Sequence, residues 1–529
     1  MSGRWWALVA VALATFMTYL DNNVVNVALP TIQRDLALTI SGLEWIVSAY
    51  ILVFAGLLLA GGRLADVFGP RTAFFGGLAV FTLASVAAGV AGSQETLIAA
   101  RVVQGLGAAL VTPSTLALLP RLFPDPRERA TAVGIWSAVG ALALAIGPLT
   151  GGFLSENADW GWIFLINLPI GVVAAVIGLR SIRAERAIPE RAVPERITPG
   201  RAAPGRTSHR QVSPGEASHG RASRRRVTRG QVSAGWVSLD LPGLLTSTVA
   251  LFALTYALIE GESRGWTSAP ILGAFAVFAV AAVAFLVVES RTAQPMIDLT
   301  LFRERVFSGG LLSLGLWSFG VFGIYFFTAL YLQSALGFSP TEAGAGFVPM
   351  ALLMAVIASV SPRIAERFGS AGTVAVGLGL MAVAIGGLSS AGEGSHYGDL
   401  LPWFLLYGAG AGLLVPLTNV VLNAMPPARA GVASGVLNVS REVFGLLGIT
   451  ILGAILSARQ SAAGGAPLHA FLEAYRFTLV IAAVIVLAGV PVSVYSLRRT
   501  RAAGAAAEPA EPSAASKASE PRPVTGPTA

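Results

Sequence analysis

Residues 61–71 read GGRLADVFGPR, and three hundred positions later residues 363–369 read RIAERFG. Arg63, Leu64, Ala65, Asp66, Val67, Phe68 and Gly69 align one for one with Arg363, Ile364, Ala365, Glu366, Arg367, Phe368 and Gly369. The same offset carries Arg129 and Ala130 onto Arg429 and Ala430. Gly105, Gly107 and Pro113 meet Gly408, Gly410 and Pro416 three residues out of step, the trace of one short insertion. Chance supplies a single match between short Gly/Arg turns; three near one offset predict a duplicated chain.

What lies between these motifs is apolar. The 529 residues are 54% hydrophobic and 12% charged, the balance of a membrane protein. Runs of about 20 residues, enough to cross a hydrocarbon core of roughly 30 Å, recur along almost the whole chain. Fourteen spans are expected, near residues 6–28, 42–61, 73–92, 96–118, 131–153, 163–180, 241–260, 270–289, 306–332, 342–360, 372–390, 400–423, 431–456 and 474–496. The opening MSGRWW and the apolar run behind it lack a small-residue cleavage site, so the first span reads as retained. The fold class is therefore an all-α membrane protein: a six-helix half in residues 1–180, a linker in 181–239, two additional helices in 240–300, a second six-helix half in 301–499 and a tail from 500 to 529. Parallel halves of this kind place a binding site between them near the midplane.

Charge orients the bundle. With the N-terminus inside, Arg34, Arg264, Arg459 and Arg476 are the basic residues left outside, out of 36 Lys and Arg. The positive-inside rule thus predicts a cell-membrane protein with both termini cytoplasmic. From residue 186 the linker runs RAIPE RAVPE RITPG RAAPG, a degenerate five-residue repeat whose Pro, Gly and Arg predict disorder. Residues 181–239 carry twelve Arg against four Glu, which matches the net charge of +8 of the whole chain. The basic balance belongs to one tether beside lipid headgroups and is no argument for nucleic acid.

Several functions are excluded. There is no cysteine, the four histidines fall in polar connections, and the one lysine, Lys517, lies in the tail. A thiolate or histidine metal cluster and a phosphate-cradling G-x-x-x-x-G-K-[ST] loop have no residues to form them. No nucleophile, base and oxyanion constellation is visible, so neither an enzyme nor a cofactor is expected.

The motifs in order are LDNNVVNVALP (20–30), GGRLADVFGPR (61–71), RVVQGLGAAL (101–110), AIGPLTGG (145–152), WGWIFLINLP (160–169) and SGVLNVSREVFG (434–445). Together they resemble the major facilitator superfamily, and within it the fourteen-span drug:proton antiporters. The resemblance covers essentially everything but the linker and the tail. It implies that Arg63, Asp66, Gly69 and Arg71, with Glu366 and Arg367 of the second copy, latch the halves on the cytoplasmic side, Asp66 lying in the turn after the second span. It also implies that Gly147, Pro148, Gly151 and Gly152 seal the outer half of span five, a motif of exporters. Val67 and Pro70 stand where the family carries basic residues, which weakens the latch or hands it to the second copy.

The charged residues inside the spans carry the chemistry. An intramembrane Arg costs about 2.5–3.5 kcal/mol on insertion scales unless it is paired. Asp21 and Arg101 fall at comparable depth on spans running in opposite directions, so a pair is expected. At 100° per residue Thr15, Thr18, Asn22 and Asn26 form one stripe of the first span with Asp21 at its edge, placed to reach both the cavity and Arg101. Glu442, where the family shows an amide, is either a second proton-coupling carboxylate or the partner of a nearby arginine. Asn22, Asn26, Tyr325, Gln333 and Asn419 are the expected substrate-cavity residues. The expected function is proton-coupled efflux of lipophilic, cationic drugs or antibiotics by a monomer, with protons, a small-molecule substrate and membrane lipid as its partners. Export of an endogenous metabolite, lipid or siderophore is the alternative, and a non-transporting receptor fits less well because it gives the buried charges no task.

Overall fold

The computed structural model describes residues 3–182, 240–292, 295, 297–414, 416–423, 425, 430–463 and 466–497. The disorder expected for 181–239 and 500–529 falls outside these, apart from Ser181 at the end of a helix and Ile182 just beyond it. The first group of helices is α1 (Gly3–Asp35), α2 (Ile40–Phe68), α3 (Pro70–Gly89), α4 (Gln94–Leu122), α5 (Pro126–Asn157), α6 (Trp162–Leu165) and α7 (Asn167–Ser181). The inserted pair is α8 (Leu241–Arg264) and α9 (Ala269–Arg291). The second group is α10 (Arg305–Ser334), α11 (Pro340–Gly346), α12 (Val348–Phe368), α13 (Ser370–Leu388), α14 (Tyr397–Leu413), α15 (Pro416–Asn423), α16 (Ala430–Ala463), α17 (Pro467–Leu487) and α18 (Gly489–Leu497). Thirteen stretches among the described residues are long and apolar enough to cross a membrane. The helix interrupted between α14 and α15 supplies the fourteenth span.

Four spans are broken where the sequence predicts continuous helices, and proline explains each break. Pro169, Pro349, Pro416 and Pro491 cannot donate to the carbonyls of Leu165, Ala345, Gly412 and Leu487, so the ladder tightens or opens there. Helix starts follow side-chain caps: Thr39 accepts from Gly42 N, Ser93 forms a capping box with Thr96, and Ser339 forms one with Glu342.

The duplication is visible in the backbone. Gly69 ends α2 with φ 86° and ψ 139°, and Gly369 ends α12 with φ 87° and ψ 141°. A side chain is strained at that φ, which is why glycine closes both copies. One expectation is corrected here: Asp66 lies in the last turn of α2, not in the turn beyond it, because the helix continues until the positive-φ glycine.

In the first half α4 packs on both α2 and α3, and α1 on α5; in the second, α14 packs on α12 and α13, and α10 on α16. The α8–α9 pair docks through α8 on α2 and α16. At the end that the arginine distribution leads one to expect outside, the halves close on each other through α5 and α11. A Cβ at Gly152 would overlap the Pro340 carbonyl, and one at Gly344 would overlap the Pro148 carbonyl. Gln333 Nε2 donates to Val27 O at 2.7 Å, and Glu156 Oε2 accepts from Ser339 Oγ at 2.8 Å and Thr341 N at 2.9 Å.

Because only hydrogen fits at Gly152, Gly152→Ala should push α11 away and favour outer opening. In the cysteine-free chain, a cysteine placed at Asn26, 6% exposed beneath this seal, should then react faster with an impermeant maleimide; an unchanged rate would show that the seal lies elsewhere.

Candidate functional site

α1, α3, α4 and α7 meet around one carboxylate. Asp21 is fully buried and accepts from Arg101 Nη1 at 2.5 Å, Gln104 Nε2 at 3.1 Å and Asn167 Nδ2 at 2.8 Å. Arg101, also fully buried, donates through Nε to the Ile46 carbonyl at 3.1 Å and through Nη1 to Gln104 Oε1 at 3.1 Å. Its guanidinium lies 4.2 Å from the centre of the Tyr50 ring and 5.7 Å from that of Phe164. Ser85 Oγ accepts from Gln104 at 2.8 Å and from Asn167 at 3.3 Å, then donates to Phe81 O. Removing two charges from water costs several kcal/mol each, and only this density of partners offsets it.

The local sequence explains how these groups converge. Arg101 and Gln104 are three apart on α4 and share a face. Asn167 is the first residue of α7, brought inward by the break that Pro169 imposes. Gln104, Asn167 and Ser85 were absent from the expected site, although the first two lie inside quoted motifs. Their signal was the i, i+3 spacing from Arg101 and an amide beside a helix break. The expectation that Asp21 also reaches the cavity is corrected: its carboxylate turns into the first half, while Asn22 takes the neighbouring face of α1.

Arg441 and Glu442 sit on α16. Arg441 donates to Glu442 Oε1 through Nη2 at 2.7 Å and through Nε at 3.1 Å, and reaches Tyr19 OH of α1 at 3.5 Å. Glu442 is 2% exposed, so the local ion pair and the contact between halves are one structure. Glu442 Oε2, Asn22 Oδ1 and Asn26 Oδ1 are buried without a hydrogen-bond partner among the described residues.

The remaining expected residues divide. Gly147 and Gly151 pack α5 on Asn23 and Val24 of α1, whereas Pro148 and Gly152 form the contact with α11. Gln333 belongs to the outer seal, and Tyr325 stacks on Phe347 with ring centres 5.0 Å apart. Asn419 lies on α15, its side chain outside the described residues. Of the latch residues, Asp66, Glu366 and Arg367 are exposed, Arg71 Nε donates to Ile182 O at 3.0 Å, and Arg63 Nη2 to Pro295 O at 3.4 Å. An apolar recess of about 410 Å³ opens between α1 and α5, lined by Trp5, Leu8, Phe16, Ile135, Val139 and Leu142 among others.

Two duplicated bundles, a buried charge network in one of them and a contact surface between them define a membrane transporter. The sequence model of the Major Facilitator Superfamily matches residues 11–296 and 289–449. The tetracenomycin C resistance and export protein of Streptomyces glaucescens is 34% identical over 464 residues, 87% of this chain and 77% of that one. The methylenomycin A resistance protein of Streptomyces coelicolor is 35% identical over 450 residues, 85% of each chain. The multidrug resistance protein Stp of Mycobacterium tuberculosis is 34% identical over 459 residues, 86% and 76%. A bacterial homologue of the human lysosomal transporter Spinster, solved inward-facing and unoccupied, superposes with a TM-score of 0.61 at 17% identity, over 94% of this chain and 97% of its own, a likeness of fold. The chain belongs to the Major Facilitator Superfamily, whose members are transporters and not enzymes.

Removing one member of the network leaves the other charge buried. Arg101→Ala should cost about 3–5 kcal/mol, read as a lowered unfolding temperature in detergent. Combining it with Asp21→Asn should cost less than the two single losses added; additive losses would mean that the pair is not a unit.

Proposed function

We propose that this protein exports lipophilic, cationic drugs or antibiotics in exchange for protons by alternating access, as a monomer in the cell membrane with both termini cytoplasmic. The observation that carries this is the Asp21 network: a buried carboxylate held by three donors on two other helices. Such a group can take a proton only when its donors release it. Arg101 has other acceptors ready in Ile46 O, Gln104 Oε1 and the Tyr50 face, so protonation of Asp21 need not strand it. Proton binding at Asp21 from outside would then loosen α1 from α4 and α7 and weaken substrate binding; proton loss to the cytoplasm would restore both.

The substrate side rests on polarity. Buried Asn22 Oδ1, Asn26 Oδ1 and Glu442 Oε2 are acceptors without donors, which suits a cationic guest, and the recess beside Trp5 and Phe16 suits its apolar part. Glu442 would add a second proton-coupling carboxylate, with Tyr325 and Asn419 lining the second half. Export fits the names of the relatives, which are resistance and export proteins. The turn of Arg63, Asp66, Gly69 and Arg71 and that of Glu366 and Arg367 would meet when the cytoplasmic ends close.

Proteoliposomes loaded with a cationic dye, with an imposed pH gradient and an internal pH reporter, test this. Wild-type protein should couple dye movement to opposite proton movement, and Asp21→Asn should lose the gradient-driven part while keeping dye-for-dye counterflow. Full gradient-driven transport by Asp21→Asn would remove Asp21 from the coupling step, and a neutral or anionic antibiotic transported in place of the dye would overturn the substrate class.

A further inference from the structure

Another buried carboxylate, outside the Asp21 network, lies where α2, α8 and α16 touch. Glu44, 1% exposed, occupies the second turn of α2. From the second half, α16 faces it with Gly453, where a Cβ would overlap its carboxylate. From the inserted pair, α8 faces it with Glu260, whose Oε1 accepts from Trp45 Nε1 at 2.9 Å and whose Oε2 pairs with Arg264 at 3.1 Å. On α4 the neighbours of this turn are the Gln94 amide, against Gly42, and the Arg101 guanidinium, whose Nε donates to the Ile46 carbonyl and whose charge is taken up by Asp21. Among the described residues no hydrogen-bond donor reaches Glu44, and the carboxylate that faces it is Glu260, held by Trp45 and Arg264.

One helical turn further out the same three helices line an open cavity of about 420 Å³. Thr39 and Ser41 come from α2 and its cap, Glu262 and Ser263 from α8, and Ser457 and Gln460 from α16. Gln460 Oε1 is buried there without a partner among the described residues. A polar vestibule thus ends one turn above a carboxylate that has a like charge opposite and no donor. Ionised, Glu44 would be an uncompensated charge pressed on the Gly453 backbone; protonated, it fits the contact as it stands.

We propose that Glu44 is a proton-binding site of this protein, filled from the outer side through the vestibule between α2, α8 and α16, and that its protonation is what lets α16 close on α2 at the outer end. The inference uses the orientation proposed above but not the exchange of drug for proton. The outer-closed state binds this proton more tightly than a state in which Glu44 is hydrated, so acid outside favours outer closure. Gly453 is the positioning residue, since any side chain there would lift α16 away. Glu260 sets the midpoint, because a facing negative charge raises the cost of ionised Glu44.

The test reads outer accessibility, not transport. A cysteine at Asn26 is labelled with an impermeant maleimide in right-side-out vesicles while external pH is varied at fixed internal pH. Divided at each pH by the rate of a control cysteine at exposed Gly394, which removes the pH dependence of the thiol itself, the labelling rate should fall as external pH falls, and the dependence should survive in an Asp21→Asn background. Glu44→Gln, permanently neutral, should label slowly at every pH, whereas Glu44→Asp should keep a pH dependence. Glu260→Gln should shift the midpoint towards acid, and it decides the matter if Glu44→Gln does not fold. A Glu44→Gln curve identical to wild type, a midpoint unmoved by Glu260→Gln, or the absence of any external-pH dependence in the wild type would each overturn the proposal. Failure of dye–proton exchange in proteoliposomes with this labelling pattern intact would count against the antiport reading alone.

Discussion

The carboxylate of Asp21 and the guanidinium of Arg101 are each fully enclosed, and much of the first half is arranged around keeping them so. Neither charge can be left without the other, because hydrocarbon offers no water to replace a lost partner. Their partners draw α1, α2, α3, α4 and α7 to one point: two amides, a serine and a backbone carbonyl, with Arg101 Nη2 left without a hydrogen-bond partner among the described residues. The network is therefore a structural junction as much as a site, and any proton that enters it must disturb the packing of five helices.

The second half solves the same position differently. Phe404, the residue that aligns with Arg101, is buried with its ring centre 5.7 Å from that of Phe347 and 6.2 Å from that of Tyr397. An apolar cluster holds its place without charge, so the duplicated position carries a buried cation in one half and an aromatic ring in the other. Between them glycines mark the closest approaches: at Gly152 and Gly344 backbone lies on backbone, and at Gly453 backbone lies on the Glu44 carboxylate.

Legibility in the sequence follows the range of the interaction. The duplicated turns were readable because Gly69 and Gly369 answer a local demand for positive φ. The pairing of Asp21 with Arg101 was readable because a charge in an apolar span must find a partner and few were available at that depth. Asn167 and Ser85 were not, since an amide or hydroxyl in a membrane helix is satisfied by its own backbone as easily as by a distant carboxylate. Glu44 was passed over because it stands at the start of an apolar run, where a carboxylate ordinarily faces water.

Composition and spacing by themselves determined that the chain crosses a membrane fourteen times, that it is a duplication with an inserted pair, and which two charges must meet; each follows from hydrophobic length, backbone conformation or the cost of a lone charge. Only the tertiary structure decided that Asp21 turns into the first half, that α5 and α11 close on each other at Gly152 and Gly344, and that Glu44 comes to rest between α2, α8 and α16. Those depend on how helices rotate and pack against partners hundreds of residues away, and helix periodicity fixes the faces of a helix without saying which neighbour each face will meet.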